Sequence, residues 1–349
     1  MLDLSKHVIY CDELLVAALE KLNKVPSNLT LFVLDRRNRL IGTLTDGDIR
    51  RGLIKGLQVA SEVSRFMNTS FYCLESTKSS PAQIRSIKEK GVKLLPVLDR
   101  EGRIKSVLDF SEVHTSLPVD AVIMAGGRGE RMLPLTARTP KPLLKLGDKP
   151  IIDHVIDRLR RYGIVNFRIS VNYLAEKIEK HLGDGSEKGI NITYLHEDIP
   201  MGTIGALGNA GKFVNDTILL INSDIFTNMD LEEFYQSFVD AGADLAIASV
   251  PYNIEVPFAV ISSDTDKIVS GLEEKPSFSF NASAGIYMFK KELLKYIPSG
   301  IHYDAPDFVL RVVAAGKKVV RHPLMGYWID IGRKEDYLKA IEYRSYIKD

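Results

Sequence analysis

The sequence predicts an α/β protein: a doubly wound, mostly parallel sheet preceded by a smaller α/β unit. Three observations predict it. From Pro118 onward, short apolar strand signals alternate with stretches of helical periodicity, the pattern of parallel strands joined by crossover helices. Upstream, one helix–strand–turn–strand–helix pattern occurs twice, an internal repeat whose halves are each too small to bury a useful core and should therefore pack together. Between the two, Thr115-Ser116-Leu117-Pro118 is a short polar stretch with a proline, so residues 1–117 and 118–349 are expected to form separate domains.

In order along the chain, the first repeat reads as a helix at Val16–Lys21, a strand Leu31–Leu34, a turn Asp35–Arg39, a strand Leu40–Leu44 and a helix from Asp46. The second reads as a helix Pro81–Lys90, a strand Leu94–Leu98, a turn Asp99–Gly102, a strand Ile104–Leu108 and a helix from Asp109. After Pro118 come a strand Val119–Met124, a helix Ile152–Tyr162, a strand Asn166–Val171, a helix Ala175–Leu182, a strand Ile192–Tyr194, a helix Gly205–Gly211 and a strand Thr217–Ile221. The rest is less regular. Strands are expected at Asp244–Val250, Phe258–Ser262, Lys267–Leu272, Ala284–Phe289 and Lys318–Arg321, with helices at Lys291–Ile297, Pro306–Ala315 and Lys334–Ile347. In such sheets ligands gather at the carboxyl ends of the strands, so the residues just after each strand are the first candidates for function.

The bulk properties exclude several classes. With 46 basic and 45 acidic side chains, a net charge of +1 and no basic tract, the chain lacks the footprint of a nucleic-acid binder. Two cysteines, Cys11 and Cys73, without paired spacing indicate neither a disulfide framework nor a zinc site. His154, His181, His196, His302 and His322 share no ligand spacing and read as packing or surface residues; Tyr10, Tyr72 and Tyr173 receive no role. The absence of a signal-peptide pattern and of any long apolar stretch leads us to expect a cytoplasmic protein without a membrane partner.

The chemistry begins after the first strand of the larger domain. Ala125-Gly126-Gly127-Arg128-Gly129-Glu130-Arg131-Met132-Leu133-Pro134-Leu135-Thr136 is followed by Pro140-Lys141-Pro142-Leu143. Adjacent glycines let backbone N–H groups approach phosphate oxygens, while Arg131 and Lys141 supply positive charge. Neither the Rossmann spacing nor a Walker A pattern is matched, so the glycines alone mark no more than a tight turn. Taken together, the two runs resemble the signature of the sugar nucleotidylyltransferases, or nucleoside-diphosphate-sugar pyrophosphorylases, and the similarity extends over residues 119–349.

That resemblance implies a set of roles. Ala125, Gly126, Gly127, Gly129, Arg131 and Lys141 would hold the triphosphate, and Met201-Gly202-Thr203-Ile204-Gly205 would receive the base and ribose. Asp224, in Asn222-Ser223-Asp224, and Asp330, in Trp328-Ile329-Asp330, would hold Mg2+. Lys275 would bind the sugar phosphate and Glu274 a sugar hydroxyl. Arg131, Lys141, Asp224, Lys275 and Asp330 form the implied catalytic set. Singly, Asp224 reads equally well as a helix cap before Leu231, Asp330 as a turn residue and Lys275 as a solvated cation. All five together in this order, each after a strand, point to catalysis. The chemistry agrees, since nucleotidyl transfer brings like-charged phosphates into line and requires cations to offset the repulsion. The sugar side departs from the family: Phe258-Ala259 stands where Tyr-Gly is frequent, and Ser283-Ala284-Gly285 where Asn-Ala-Gly is frequent. Ala259, Ser283 and Gly285 are nonetheless the expected sugar contacts.

The resemblance to the guanylyltransferase branch implies GTP, with mannose-1-phosphate or an amino-hexose-1-phosphate as acceptor. Uridylyl or thymidylyl transfer is the alternative within the family, and a nucleotide-sensing scaffold without catalysis is the alternative outside it. No acetyl transfer is implied, because no repeat-built β-helical extension follows Lys334–Ile347. Ile41-Gly42-Thr43-Leu44-Thr45-Asp46-Gly47-Asp48-Ile49-Arg50-Arg51-Gly52 resembles the strand-to-helix segment of a CBS motif, a family that works as tandem pairs binding adenine nucleotides. The resemblance implies AMP or ATP contacts at Thr45 and Asp48. Leu108 and Ser111 replace them in the second copy, so one intact site at most is expected, and the pair could equally serve a homo-oligomer.

Overall fold

The computed structural model describes residues 3–25, 29–75 and 81–346, and divides into two compact units. One holds the residues up to Leu117 with Arg161–Gly163; the other holds the remainder from Pro118 onward.

In the smaller unit one topology occurs twice. Val8–Tyr10 runs parallel to Thr30–Leu34, which pairs antiparallel with Leu40–Thr45; Leu74–Glu75, Leu94–Leu98 and Ile104–Asp109 repeat that arrangement. Even the register shift recurs, between Val33 and Leu34 in the first copy and Val97 and Leu98 in the second. The helices Leu15–Lys24 and Asp46–Ile54 bury Leu15, Ala18, Leu22 and Ile49 with Ile9, Leu31, Val33 and Leu44. A second apolar layer joins the copies through Phe32, Leu34, Leu40 and Leu94, and the Leu40 N–H donates to the Gly102 carbonyl at 2.9 Å.

The helix expected from Asp109 does not form. In the first copy Thr45 and Asp48 make a reciprocal capping box, each side chain accepting the other's backbone N–H, so the strand passes directly into a helix. In the second copy Leu108 occupies the cap position and has no acceptor to offer. The Asp109 carboxylate instead takes the Ser111 N–H at 2.9 Å and its hydroxyl at 2.6 Å, closing a local turn. The expected helix Pro81–Lys90 is present as Pro81–Glu89.

The larger unit is built on a seven-stranded sheet in the order Asn191–His196, Asn166–Val171, Val119–Met124, Thr217–Asn222, Ser277–Lys290, Leu245–Glu255, Val319–Pro323. Six strands run in one direction; Ser277–Lys290 runs against both of its neighbours. The fold is thus α/β with a mostly parallel sheet. Val119–Met124 lies centrally, and its apolar run is buried apart from the half-buried Met124. The helix Ala305–Ala314 packs Phe308 and Val312 against Phe289, Tyr287 and Leu245 on the sheet, with the Phe289 and Phe308 rings 5.3 Å apart.

Several elements differ from expectation. Gly205–Asn209 and Lys291–Tyr296 are 3-10 segments rather than α-helices, the first holding two glycines in five residues. The strands expected at Asp244–Val250 and Ala284–Phe289 are longer, continuing as a two-stranded ribbon in which Tyr252 faces Phe280 and Ile254 faces Phe278. Their intervening partners Pro251, Asn253, Ser279 and Asn281 are polar or helix-breaking, which made the segment read as loop. The closing helix spans Lys334–Tyr346, and Ile347 lies outside the described residues. Among the described residues no helix is long and apolar enough to cross a membrane.

Candidate active site

Three strand ends converge on one cluster of charge. The Ala125 N–H donates to the Ser170 carbonyl at 3.0 Å, and the chain then turns through Gly126–Gly129. Gly129 has φ +64°, and a Cβ there would lie 2.9 Å from Thr136 Cγ2, so the loop needs glycine at this point. The Thr136 hydroxyl donates to the Gly129 carbonyl at 2.9 Å and locks the loop's two ends together. Met132 is buried with Leu144, Leu146 and Ile331, while its neighbour Arg131 stays exposed. Gly127 is exposed, and a Cβ there would meet nothing within 4 Å.

Asp224 lies in the turn between Thr217–Asn222 and the short strand Ile225–Thr227. That strand pairs antiparallel with Trp328–Asp330, setting Ile225 opposite Asp330, and the Ile331 N–H donates to the Asp224 carbonyl at 3.0 Å. Residues more than a hundred positions apart are therefore placed side by side. Lys141 donates its ammonium to Asp224 Oδ2. Arg131 reaches the same point: a Cβ on Gly332 would be 3.6 Å from its Nη2 and 3.4 Å from Asp330 Oδ1. Partial desolvation and the Asp224 charge push the Asp330 carboxyl above its ordinary value, against the pull of Lys141 and Arg131.

The cap reading of Asp224 does not hold, since the helix Leu231–Asp240 is capped by Asp230, which accepts the Glu232 and Glu233 N–H groups. Asp224 Oδ1 is buried and has no hydrogen-bond partner. A buried carboxylate oxygen is costly without a partner, and here a second carboxylate lies beside it. Asp224 and Asp330 are the side chains here with the donor chemistry to hold a divalent cation, while among the described residues no group of three or more metal-ligating side chains forms.

Of the expected sugar contacts, Gly285 has φ +71° and lies against Asn222, two residues before Asp224. The Trp328 indole N–H donates to the Ala284 carbonyl at 2.9 Å, and the Ser283 hydroxyl lies 2.9 Å from the Tyr287 hydroxyl. Ala259, Glu274 and Lys275 are exposed at the base of the hairpin Val260–Ser263/Val269–Glu273, and neither charged side chain pairs with the Lys141–Asp224 cluster. Lys275 has φ +47°.

The Met201–Gly205 loop is clamped to the segment before Ala305–Ala314. The Thr203 N–H and hydroxyl both donate to Asp304 Oδ1, at 2.9 and 3.0 Å, and the Thr203 hydroxyl accepts the Ala305 N–H at 2.8 Å. Gly202, with φ +78°, sits so close that a Cβ would be 2.7 Å from the Tyr303 carbonyl, and the Gly205 N–H donates to that carbonyl at 3.1 Å. Burial would raise the Asp304 carboxyl, but the Thr203 donors and His302 hold it below the usual range. His302 is exposed, as expected, and adds to the clamp through Asp304.

Glu197 escaped the sequence reading. It follows the strand Asn191–His196, is buried, and accepts the Ser170 hydroxyl on Oε1 and the Met201 N–H on Oε2 at 2.9 Å. A Cβ on Gly126 would come within 2.9 Å of Oε1, so Glu197 joins the glycine loop to the Met201 loop. The available signal was its position one residue past a strand end.

In the smaller unit, Asp48 is 8% exposed and both its oxygens are engaged. Oδ2 accepts the Thr45 N–H at 2.9 Å and hydroxyl at 2.6 Å; Oδ1 accepts Arg51 Nη2 at 2.6 Å.

Residues 120–345 match the family model described as nucleotidyl transferase. A mannose-1-phosphate guanylyltransferase of Mycobacterium tuberculosis is 31% identical over 229 residues, covering 64% of this chain and 63% of that protein. A UTP--glucose-1-phosphate uridylyltransferase of Synechocystis is 31% identical over 240 residues, covering 63% and 62%. The chain thus spans under two thirds of the length of these relatives. A solved structure from Bacillus anthracis, assigned as a glucose-1-phosphate thymidylyltransferase, aligns with TM-score 0.55 and 25% identity over 66% of this chain and 97% of that one. With the matched region spanning the sheet, the glycine loop and both aspartates, the chain belongs to the nucleotidyl transferase family.

Proposed function

We propose that the protein transfers a guanylyl group from GTP to a hexose-1-phosphate, either mannose-1-phosphate or an amino-hexose-1-phosphate, with Mg2+. The observation that carries this reading is the buried, unpartnered Asp224 oxygen beside Asp330, at the strand ends next to the glycine loop. A phosphate oxygen of the sugar phosphate forms the new bond to the α-phosphorus; the α–β bridging bond breaks and pyrophosphate leaves. The acceptor is already a competent nucleophile, so no covalent intermediate on the protein is needed. Arg131, Lys141 and the backbone of Ala125, Gly126, Gly127 and Gly129 hold the triphosphate and offset its charge. Asp224 and Asp330 would hold Mg2+, which when bound would supply positive charge to offset that of the phosphates. Gly202, Thr203 and Gly205 shape the nucleotide side. Ala259, Glu274, Lys275, Ser283 and Gly285 take the sugar phosphate, Lys275 through its charge.

Glu197 supports guanine as the base. Each carboxylate oxygen can accept a second hydrogen bond, and guanine offers adjacent N1–H and N2–H donors, whereas the single N3–H of uracil or thymine is flanked by carbonyls that a carboxylate repels. We further propose that residues 1–117 are a CBS pair that binds AMP or ATP at Thr45 and Asp48 and adjusts turnover in a cytoplasmic homo-oligomer. Nucleotide there requires Asp48 to exchange Arg51 or Thr45 for ribose hydroxyls. The test is pyrophosphate release from GTP, UTP, CTP, dTTP and ATP against several hexose-1-phosphates, with and without AMP. GTP with one sugar phosphate should stand out; release with UTP or dTTP alone would assign the other base, and none from any pair would favour a non-catalytic scaffold.

A further inference from the structure

His302 bridges two groups that can only accept hydrogen bonds. Its Nδ1 lies 3.1 Å from the Pro200 carbonyl and its Nε2 lies 3.2 Å from Asp304 Oδ2. A neutral imidazole carries one N–H and can satisfy only one of these; both bonds require the imidazolium. The two partners belong to the two halves of the clamp already described. Pro200 leads into Met201-Gly202-Thr203, and Asp304 receives the Thr203 N–H and hydroxyl on its other oxygen.

We propose that protonated His302 is a positioning residue that fixes the Met201–Gly205 loop, so that nucleotide affinity weakens as pH rises. This rests on the reading of that loop as the nucleotide side of the site. The bridge is short in sequence but long in reach: it ties the loop to the N-terminus of Ala305–Ala314, whose first N–H is capped by Thr203 from 102 residues away. Phe308 and Val312 anchor that helix to the sheet, so the clamp passes the sheet's rigidity to the loop. The charged groups facing the ring are Asp304 and Asp307, and residues 200–203 opposite present a carbonyl but no titratable side chain. The Pro200 carbonyl, then Asp304, raise the ring above its ordinary value of 6.5. The sign follows: the doubly bonded form is complete below that ordinary value and is lost as pH rises through the elevated one.

The test uses the full-length protein, wild type, His302→Ala and His302→Lys, between about pH 6 and 9. Lysine keeps a cation at every pH in this range. Two readouts are taken. Hydrogen exchange of the 201–206 amides should speed up several-fold with rising pH, beyond intrinsic exchange, in the wild type; it should be fast throughout in His302→Ala and slow throughout in His302→Lys. The KM for the nucleotide should follow the same pattern while kcat changes little. Exchange in His302→Ala that matches the wild type at each pH would overturn the inference. Altered exchange with no turnover from any nucleotide would uphold the clamp and fail the functional reading instead. A KM profile identical in all three proteins would overturn the link to affinity.

Discussion

Two aspartates in this chain each sit beside the end of a strand, one in each unit, and they differ in what they leave unmade. Asp48 engages both oxygens with Thr45 and Arg51 and so completes a helix start. Asp224 gives one oxygen to Lys141, keeps the other buried without a partner, and faces a second carboxylate. Residue type is the same and each follows its strand by two or three residues; the unmet hydrogen bond is what separates an open cation site from a cap that a nucleotide could enter only by displacing Thr45 or Arg51. A satisfied carboxylate stabilises local structure, whereas an unsatisfied one costs stability that only a bound ion or substrate recovers.

The largest expected effect breaks the comparison on the Asp224 side. Asp224→Asn keeps an oxygen for Lys141 but removes the charge, and pyrophosphate release should fall by about 10³-fold while the melting temperature changes little. Next is Glu197→Gln, which exchanges an acceptor for a donor at the junction of the two loops. Preference for GTP over UTP should drop by about tenfold, measured as the ratio of kcat/KM values. The smallest effect is on the other side. Asp48→Asn should cost about 1 kcal/mol in denaturant unfolding of the smaller unit, the worth of a helix cap, and leave release without AMP unchanged. Loss of basal activity in Asp48→Asn would erase the distinction between the two aspartates.

Much of this was legible in the sequence, for identifiable reasons. Asn166–Val171 and Ala175–Leu182 begin and end where expected, because apolar periodicity is strong there and the turn residues on either side stop it. The four charged residues Arg131, Lys141, Asp224 and Asp330 were singled out because they stand in recognisable runs, and the fold brings them near one another. What sequence could not supply was the pairing of Ile225–Thr227 with Trp328–Asp330, two three-residue strands too short to carry a pattern, which alone sets the aspartates together. Glu197 was hidden for a related reason: a charged residue in His196-Glu197-Asp198 reads as solvated loop until the fold turns it toward Gly126. The helix from Asp109 failed because the repeat suggested it while the cap residue, Leu108, argued against it.

The central claim is that Asp224 and Asp330 form a cation site for nucleotidyl transfer, and pyrophosphate release against Mg2+ concentration tests it most directly. With GTP and the active sugar phosphate, the wild type should require Mg2+ and saturate with it, and Asp224→Asn and Asp330→Asn should stay far below it at every concentration. Full turnover by either variant at the wild-type Mg2+ requirement would contradict the assignment.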